Sequence, residues 1–179
     1  MLFRSYTNGV SIRNDDPEHN EPDDYRHQLA ESGSQWTVDT AGDPKITAMS
    51  LGRPMIAVTG DATNLYNNPY EKSTGVVRAT RGLVWLQPDT LVVYDRADTR
   101  ADGRFKRFWL QLPAEPHIDG HRSTMTTPKG QHLTVDTLLP AGAAVTAERG
   151  AGWAQRSAPR QGPTPARPPT TDPGVGRAR

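Results

Sequence analysis

The chain has 179 residues, with 21 basic and 20 acidic side chains, 16 Gly, 16 Pro and no Cys. That length suits one domain of ordinary size with an appendage, and the missing cysteines exclude a disulfide framework, a thiolate metal site and a cysteine nucleophile. Apolar stretches such as Leu91-Val92-Val93-Tyr94 are far short of the ~20 residues that span a bilayer, so membrane insertion is not expected, and the opening MLFRSYTNGVS has no apolar signal-peptide core to direct export.

In chain order, the first distinctive stretch is Asp15 to Ser34, DDPEHNEPDDYRHQLAESGS, polar and strongly charged. Within it, residues 23–30 suit either two helical turns capped by Asp23 or a structured surface loop. Next comes Met55-Ile56-Ala57-Val58-Thr59, a short β-branched run stopped by Gly60-Asp61. Leu83-Val84-Trp85-Leu86 and Leu91-Val92-Val93-Tyr94 flank Gln87-Pro88-Asp89-Thr90, which predicts a β-hairpin around a Pro-Asp type I turn. From Phe105 to Leu112 the pattern alternates, placing Phe108, Leu110 and Leu112 on one face and Arg107, Trp109 and Gln111 on the other. Further strands are expected over Ile118–Met125 and His132–Leu138, with a last run near Val145. Runs of this kind at 8–12-residue intervals, separated by Pro and Gly, predict an all-β antiparallel β-sandwich over residues 1–153. Its core is expected, subject to register, from Val58, Leu83, Trp85, Leu91, Val93, Phe108, Leu110, Leu133 and Val135, and Phe108→Ala should cost ~3–5 kcal/mol if that residue is fully buried.

Residues 154–179 differ in kind. Six of the 16 prolines and five of the 17 arginines fall there, against the single acid Asp172, and nothing there is larger than Val175 to fill a core. A segment of this composition is expected to be a disordered tail. Without it the chain has 16 basic and 19 acidic residues, a net charge of −3. That balance argues against nucleic acid, whose phosphates need clustered Lys and Arg.

The sequence contains no glycine-rich phosphate loop, no HExxH, no GxSxG and no paired CxxC. His117 and His121 look like a metal clip, but on one strand residues four apart lie about 13 Å apart. A turn at Asp119-Gly120 reads more simply as a solvated hairpin tip, and His19 and His27 as loop histidines. Asp61, directly after an apolar run, suits either a turn-forming carboxylate or a hard oxygen or zinc-type ligand. Arg78, Arg81, Arg96, Arg104 and Arg107 lie near Trp85, Tyr94 and Trp109 in sequence. Guanidinium forks beside aromatic faces suit an acidic sugar; equally, these arginines suit a sheet's outer face paired with Asp89, Asp95, Asp98 and Asp102.

Four ordered segments carry a resemblance. They are Gly60-Asp61-Ala62-Thr63-Asn64-Leu65-Tyr66; the run from Arg81 to Arg96, RGLVWLQPDTLVVYDR; Lys106-Arg107-Phe108-Trp109-Leu110-Gln111; and Leu138-Leu139-Pro140. Together they resemble the C-terminal β-sandwich of heparinase II/III-like polysaccharide lyases. Upstream, Asn8-Gly9-Val10-Ser11-Ile12 is similar to that family's HNT-hydrophobic strand, and Glu31-Ser32-Gly33-Ser34-Gln35 to its DGGQ segment. The resemblance covers roughly residues 3–148. It implies a fold in which an α-helical toroid domain precedes the sandwich, with the active site between them. The implied reaction is β-elimination at a uronic acid, in which a base removes the proton α to a neutralised carboxylate.

This chain has no candidate for the toroid, and Thr7 stands where the family places a histidine before the HNT asparagine. The resemblance therefore implies the non-catalytic sandwich portion of a uronic-acid polysaccharide lyase, inactive alone. It would meet acidic polysaccharide together with a toroid domain, and Asn8, Arg107 and Trp109 would face the substrate. It also implies a structural divalent metal, zinc or calcium, with Asp61 as the matching acidic position, and a secreted or periplasmic setting. A stand-alone carbohydrate-binding or purely structural module is the alternative.

Overall fold

In the computed structural model the described residues are 8–18, 25–36 and 42–148, the side chain of residue 25 excepted. The elements are β1 (Gly9–Ile12), α1 (Tyr25–Ser32), β2 (Lys45–Leu51), β3 (Met55–Asp61), β4 (Val76–Leu86), β5 (Thr90–Thr99), β6 (Lys106–Trp109), β7 (His117–Asp119), β8 (Arg122–Thr126) and β9 (His132–Asp136), with a 3-10 turn at Thr63–Leu65. All strand pairing is antiparallel, so the chain is an all-β protein carrying a single short helix among the described residues. The chain falls into two units, Met1–Leu112 and Pro113–Arg179. The expected tail, Thr7, His19 and Asp23 lie outside the described residues.

In the first unit, β2-β3-β4-β5 form a four-stranded meander and β1 pairs with β6. The hairpin expected around Pro88 is present, with Leu86 opposite Thr90, Trp85 opposite Leu91 and Leu83 opposite Val93. The Gln87–Pro88 peptide at its tip is cis. The helical reading of the charged segment is also realised, as α1. Gly33 ends that helix at φ +69, its N–H reaching Ala30 O (3.2 Å) while Ser34 N–H reaches Leu29 O (3.0 Å). That pair of bonds is the left-handed glycine stop that satisfies the last helical carbonyls. Gly33 O then accepts from Ile12 N–H at 2.9 Å, which ties the helix end to β1.

Partners in an antiparallel ladder share a face, so the register sorts the meander's side chains. One face carries Met49 and Leu51 of β2, Ile56 and Val58 of β3, Leu83 and Trp85 of β4, and Leu91 and Val93 of β5. Farther along the same face come Gly60, Arg81 and Asp95, then Ala79 and Ala97. The buried core sits only at that far end. Ile12, Tyr66, Val76 and Ala79 pack together there with Val10, Ala62 and Ala97. A second small cluster joins Leu29, Ala30 and Trp36. Trp36 links the two, because its indole N–H donates to Tyr66 O at 3.0 Å.

The core expected from the sequence is therefore corrected. None of its nine residues is buried, and Trp85, Leu91, Val93, Phe108, Leu110 and Leu133 are exposed. The strands have the continuous apolar composition of a sheet covered on both sides. What packs on them, β1 and the segment after β3, reaches only the Val76–Arg81 end. Phe108 pairs with Val10 in register and lies beneath the Arg81 guanidinium, 5.5 Å from its ring centre. Strand β6 is also shorter than the expected Phe105–Leu112 run.

The second unit is a three-stranded meander, β7-β8-β9. The run expected as one strand over Ile118–Met125 is two, turning where Asp119 faces Arg122 with Gly120 at φ +56. His117 and His121 are both exposed beside that turn, as a solvated hairpin tip requires. Ser123 and Met125 are buried, while Arg122 makes a two-pronged pair with Asp136 across the strands, at 2.6 and 3.0 Å. Among the described residues, no strand forms near Val145.

Candidate functional site

A cleft of about 420 Å³ opens in the first unit where β1 meets the far end of the meander. Its lining joins segments that are far apart in sequence: Asn8 before β1, Gln35 after α1, Asp61 at the end of β3, Arg81 on β4 and Asp95 on β5. The ladder explains the central pair. Once the hairpin closes with Leu86 opposite Thr90, Arg81 must stand opposite Asp95. Its Nε and Nη2 donate to the two carboxylate oxygens at 2.7 and 2.8 Å, and its Nη1 donates to Asn8 O at 2.6 Å. This fork-to-fork geometry is the strong form of an ion pair. Hydrogen bonding to Asp95 shifts Arg81 further toward its charged form. Arg81 is thus already neutralised and occupied, while two further cations, Lys45 and Arg96, also line the cleft.

Tyr66 lies on the cleft's buried side, its hydroxyl donating to Val10 O and accepting from Gln35 Nε2 at 3.4 Å. Burial raises its pKa above the ordinary 10.0, so it is a poor base. Asp61 is committed to the turn after β3. One carboxylate oxygen accepts from the Thr63 N–H at 2.8 Å and from the Thr63 hydroxyl at 2.6 Å. The hydroxyl bond and then the backbone bond hold its pKa below the ordinary 3.8. The turn-forming reading of Asp61 is the one visible in the structure. Among the described residues, no group of three or more His, Asp or Glu side chains gathers to hold a metal ion. No histidine among the described residues lines the cleft.

Of the other residues singled out in the sequence, Asn8 and Arg96 also line the cleft, whereas Arg78, Arg104, Arg107 and Trp109 lie elsewhere in the same unit. Asn8 accepts from Gln111 N–H through Oδ1 at 2.6 Å, which anchors the start of β1 to the chain after β6. Trp109 pairs with Gly9 and donates its indole N–H to buried Ser11 at 2.8 Å. Arg107 is exposed and stacks over Phe105 at 4.2 Å. Neither Arg107 nor Trp109 lines the cleft. Arg78 pairs with Asp98 (3.1 Å) and Arg104 with Asp15 (2.9 Å), whereas Arg96 is exposed and without a partner among the described residues. Three of the five central arginines therefore sit in aspartate pairs.

Sequence reasoning missed the polar knot behind the cleft. Asn14 is 2% exposed and donates to Tyr66 O and Ser73 O while accepting from Asp15 N–H and Gly75 N–H. Four backbone groups from three stretches of chain meet on that one amide. Only the Asn14–Asp15 bond is local, so no spacing pattern signals the rest. Nearby, Asn68 turns the chain by accepting from Tyr70 N–H and Glu71 N–H. Its buried Nδ2 has no hydrogen-bond partner. Comparison with protein-family models, curated proteins and solved structures finds no match to this chain.

Proposed function

We propose that this chain is the non-catalytic β-sheet portion of a heparinase II/III-like polysaccharide lyase, with its paired and four-stranded sheets belonging to an antiparallel β-sandwich. The observation that carries the reading is convergence. Asn8, Gln35, Asp61 and Arg81 come from four separate segments of the resemblance, and all four line one cleft. A chance likeness of short segments would have no reason to bring them together.

The chemistry of the cleft supports an inactive role for the chain by itself. Proton abstraction next to a uronate carboxylate needs a base of matched pKa and a free cation or donor for the developing charge. Asp61 is held too acidic and is saturated by Thr63 on one oxygen. Tyr66 is held protonated by burial, and Arg81 is consumed by Asp95 and Asn8. The missing base would come from an α-helical toroid domain acting on the same acidic polysaccharide, while Arg96 in the cleft lining stays open to a carboxylate. In that assembly Asn8, Arg107 and Trp109 would border the substrate, and any structural metal would involve Asp61.

The test is a turnover assay on the purified chain with uronate-containing polysaccharides, following the ultraviolet absorbance of unsaturated sugar ends. No product is expected from the chain alone. Sustained product formation that survives repurification would overturn the reading. The exposed Arg107–Phe105 stack favours one second reading, a stand-alone module that binds acidic glycans. Calorimetric binding lost on Arg107→Ala would support that module, and flat titrations would remove it.

A further inference from the structure

We propose that this chain forms a two-fold dimer through the bare half of the meander face that carries Trp85. The inference is independent of the carbohydrate reading. On that half, Leu51 is 69% exposed, Met49 61%, Leu91 60%, Trp85 43% and Val93 39%. Such openness across all but one of four adjacent strands leaves on the order of 500 Å² of apolar surface, at the upper end of what monomers show. Two copies pressed together would bury about 1,000 Å², the lower limit of a specific interface. A weak, concentration-dependent dimer is therefore the expected state.

Three observations select a second copy as the occupant. Every side chain on this half-face is apolar in register, so apposing the face with itself brings no like charges together. The same absence of donors and acceptors gives a sugar, a nucleic acid or a charged segment nothing to hold. Next, the one polar atom on the half-face is already satisfied, because the Trp85 indole N–H donates to Pro88 O at 3.2 Å. The ring can be buried without stranding a donor. Finally, the apolar half ends at the Arg81–Asp95 pair, which supplies a polar rim beside an apolar centre. Sheets of the same twist pack face to face in an aligned arrangement, and two copies of one sheet meet that condition.

The opposite face is the internal control. Thr59, Ser50 and Thr90 interrupt it, and Arg78, Arg96 and Asp98 follow, so its exposed Met55, Leu86, Val92 and Tyr94 are set among polar side chains. Leu91 and Val92 are neighbours on opposite faces, both open to solvent. Sedimentation equilibrium of the full chain, from about 1 to 100 µM, should show a monomer–dimer equilibrium. Leu91→Lys should weaken it at least tenfold by forcing an unpaired charge into the interface, and Val92→Lys should leave it unchanged. If the lysine variant loses its β-type far-UV spectrum, Leu91→Thr makes the same test with a strand-compatible side chain, and a smaller weakening is expected. A monomer throughout the range overturns the proposal, even if another protein later proves to occupy the face. So does a dimer indifferent to both Leu91 variants, a dimer broken by Val92→Lys, or an open-ended series of larger species.

Discussion

Asn14 is the residue on which the most backbone depends. Its amide holds Tyr66 O, Ser73 O and the Gly75 N–H inside the first unit, groups that water cannot reach at a 2% exposed position. An unsatisfied buried donor or acceptor costs about 1–3 kcal/mol. Asn14→Ala is therefore expected to destabilise the protein by roughly 3 kcal/mol in urea titration, and a loss under ~0.5 kcal/mol would show that water replaces the amide. Asp61 makes a pH-dependent contribution. Its folded pKa is lowered from 3.8, first by the Thr63 hydroxyl and then by the Thr63 amide. With the folded value below the unfolded one, the stabilisation is complete above the unfolded value and is lost as the pH falls through the folded one. Asp61→Asn should consequently flatten the decline of stability below about pH 4 while changing little in its slope near neutrality. Parallel acid titrations of the two proteins measure this.

At the scale of elements, α1 and β1 are locked by a glycine that serves two purposes. Gly33 has φ +69, and a Cβ there would stand 2.6 Å from Ile12 N and 2.7 Å from Ile12 C. An L side chain is strained in that backbone conformation and has nowhere to go, since the obstacle is a strand backbone. Gly33→Ala is expected to cost more than ~2 kcal/mol and to detach the helix end from β1. Hydrogen exchange should report this as lost protection at the Ile12 amide, whose acceptor is Gly33 O. Strand β6 shows the opposite case. Phe108 is 48% exposed, so Phe108→Ala should cost only about 1 kcal/mol, against the 3–5 of a buried phenylalanine. Chemical denaturation decides between these values.

The same elements show what was legible beforehand. The hairpin around Pro88 was visible because two β-branched and aromatic runs flank turn residues at a fixed distance. Arg81 opposite Asp95 follows from that hairpin's register by counting outward. The turn at Gly120 carried a local signal of the same kind, while residues 23–30 left helix and loop both open. Face assignment was not legible. Alternation says that Phe108 and Trp109 point opposite ways, but not which side has something packed on it.

Taken as a whole, the molecule carries more apolar strand surface than it covers. Among the described residues the buried hydrophobic side chains are few, and most of the larger apolar side chains of β2 to β5 stay open. Patches of this size bind hydrophobic dyes and associate. Dye fluorescence with the native chain should accordingly be high at low protein concentration and fall per molecule as concentration rises and the face is covered. A signal as weak as that of an ordinary compact monomer at every concentration would contradict the exposure seen here. Composition, turn chemistry and two-residue alternation decided, from the sequence alone, that this is an antiparallel β protein with a hairpin at Pro88, because those signals are local. Only the tertiary structure decided where the core lies, that Arg81 is also spent on Asn8, and that Asn14 ties the chain after β1 to Tyr66, Ser73 and Gly75. Such facts depend on which chain segments meet across fifty or more residues, and no neighbour-to-neighbour pattern encodes that.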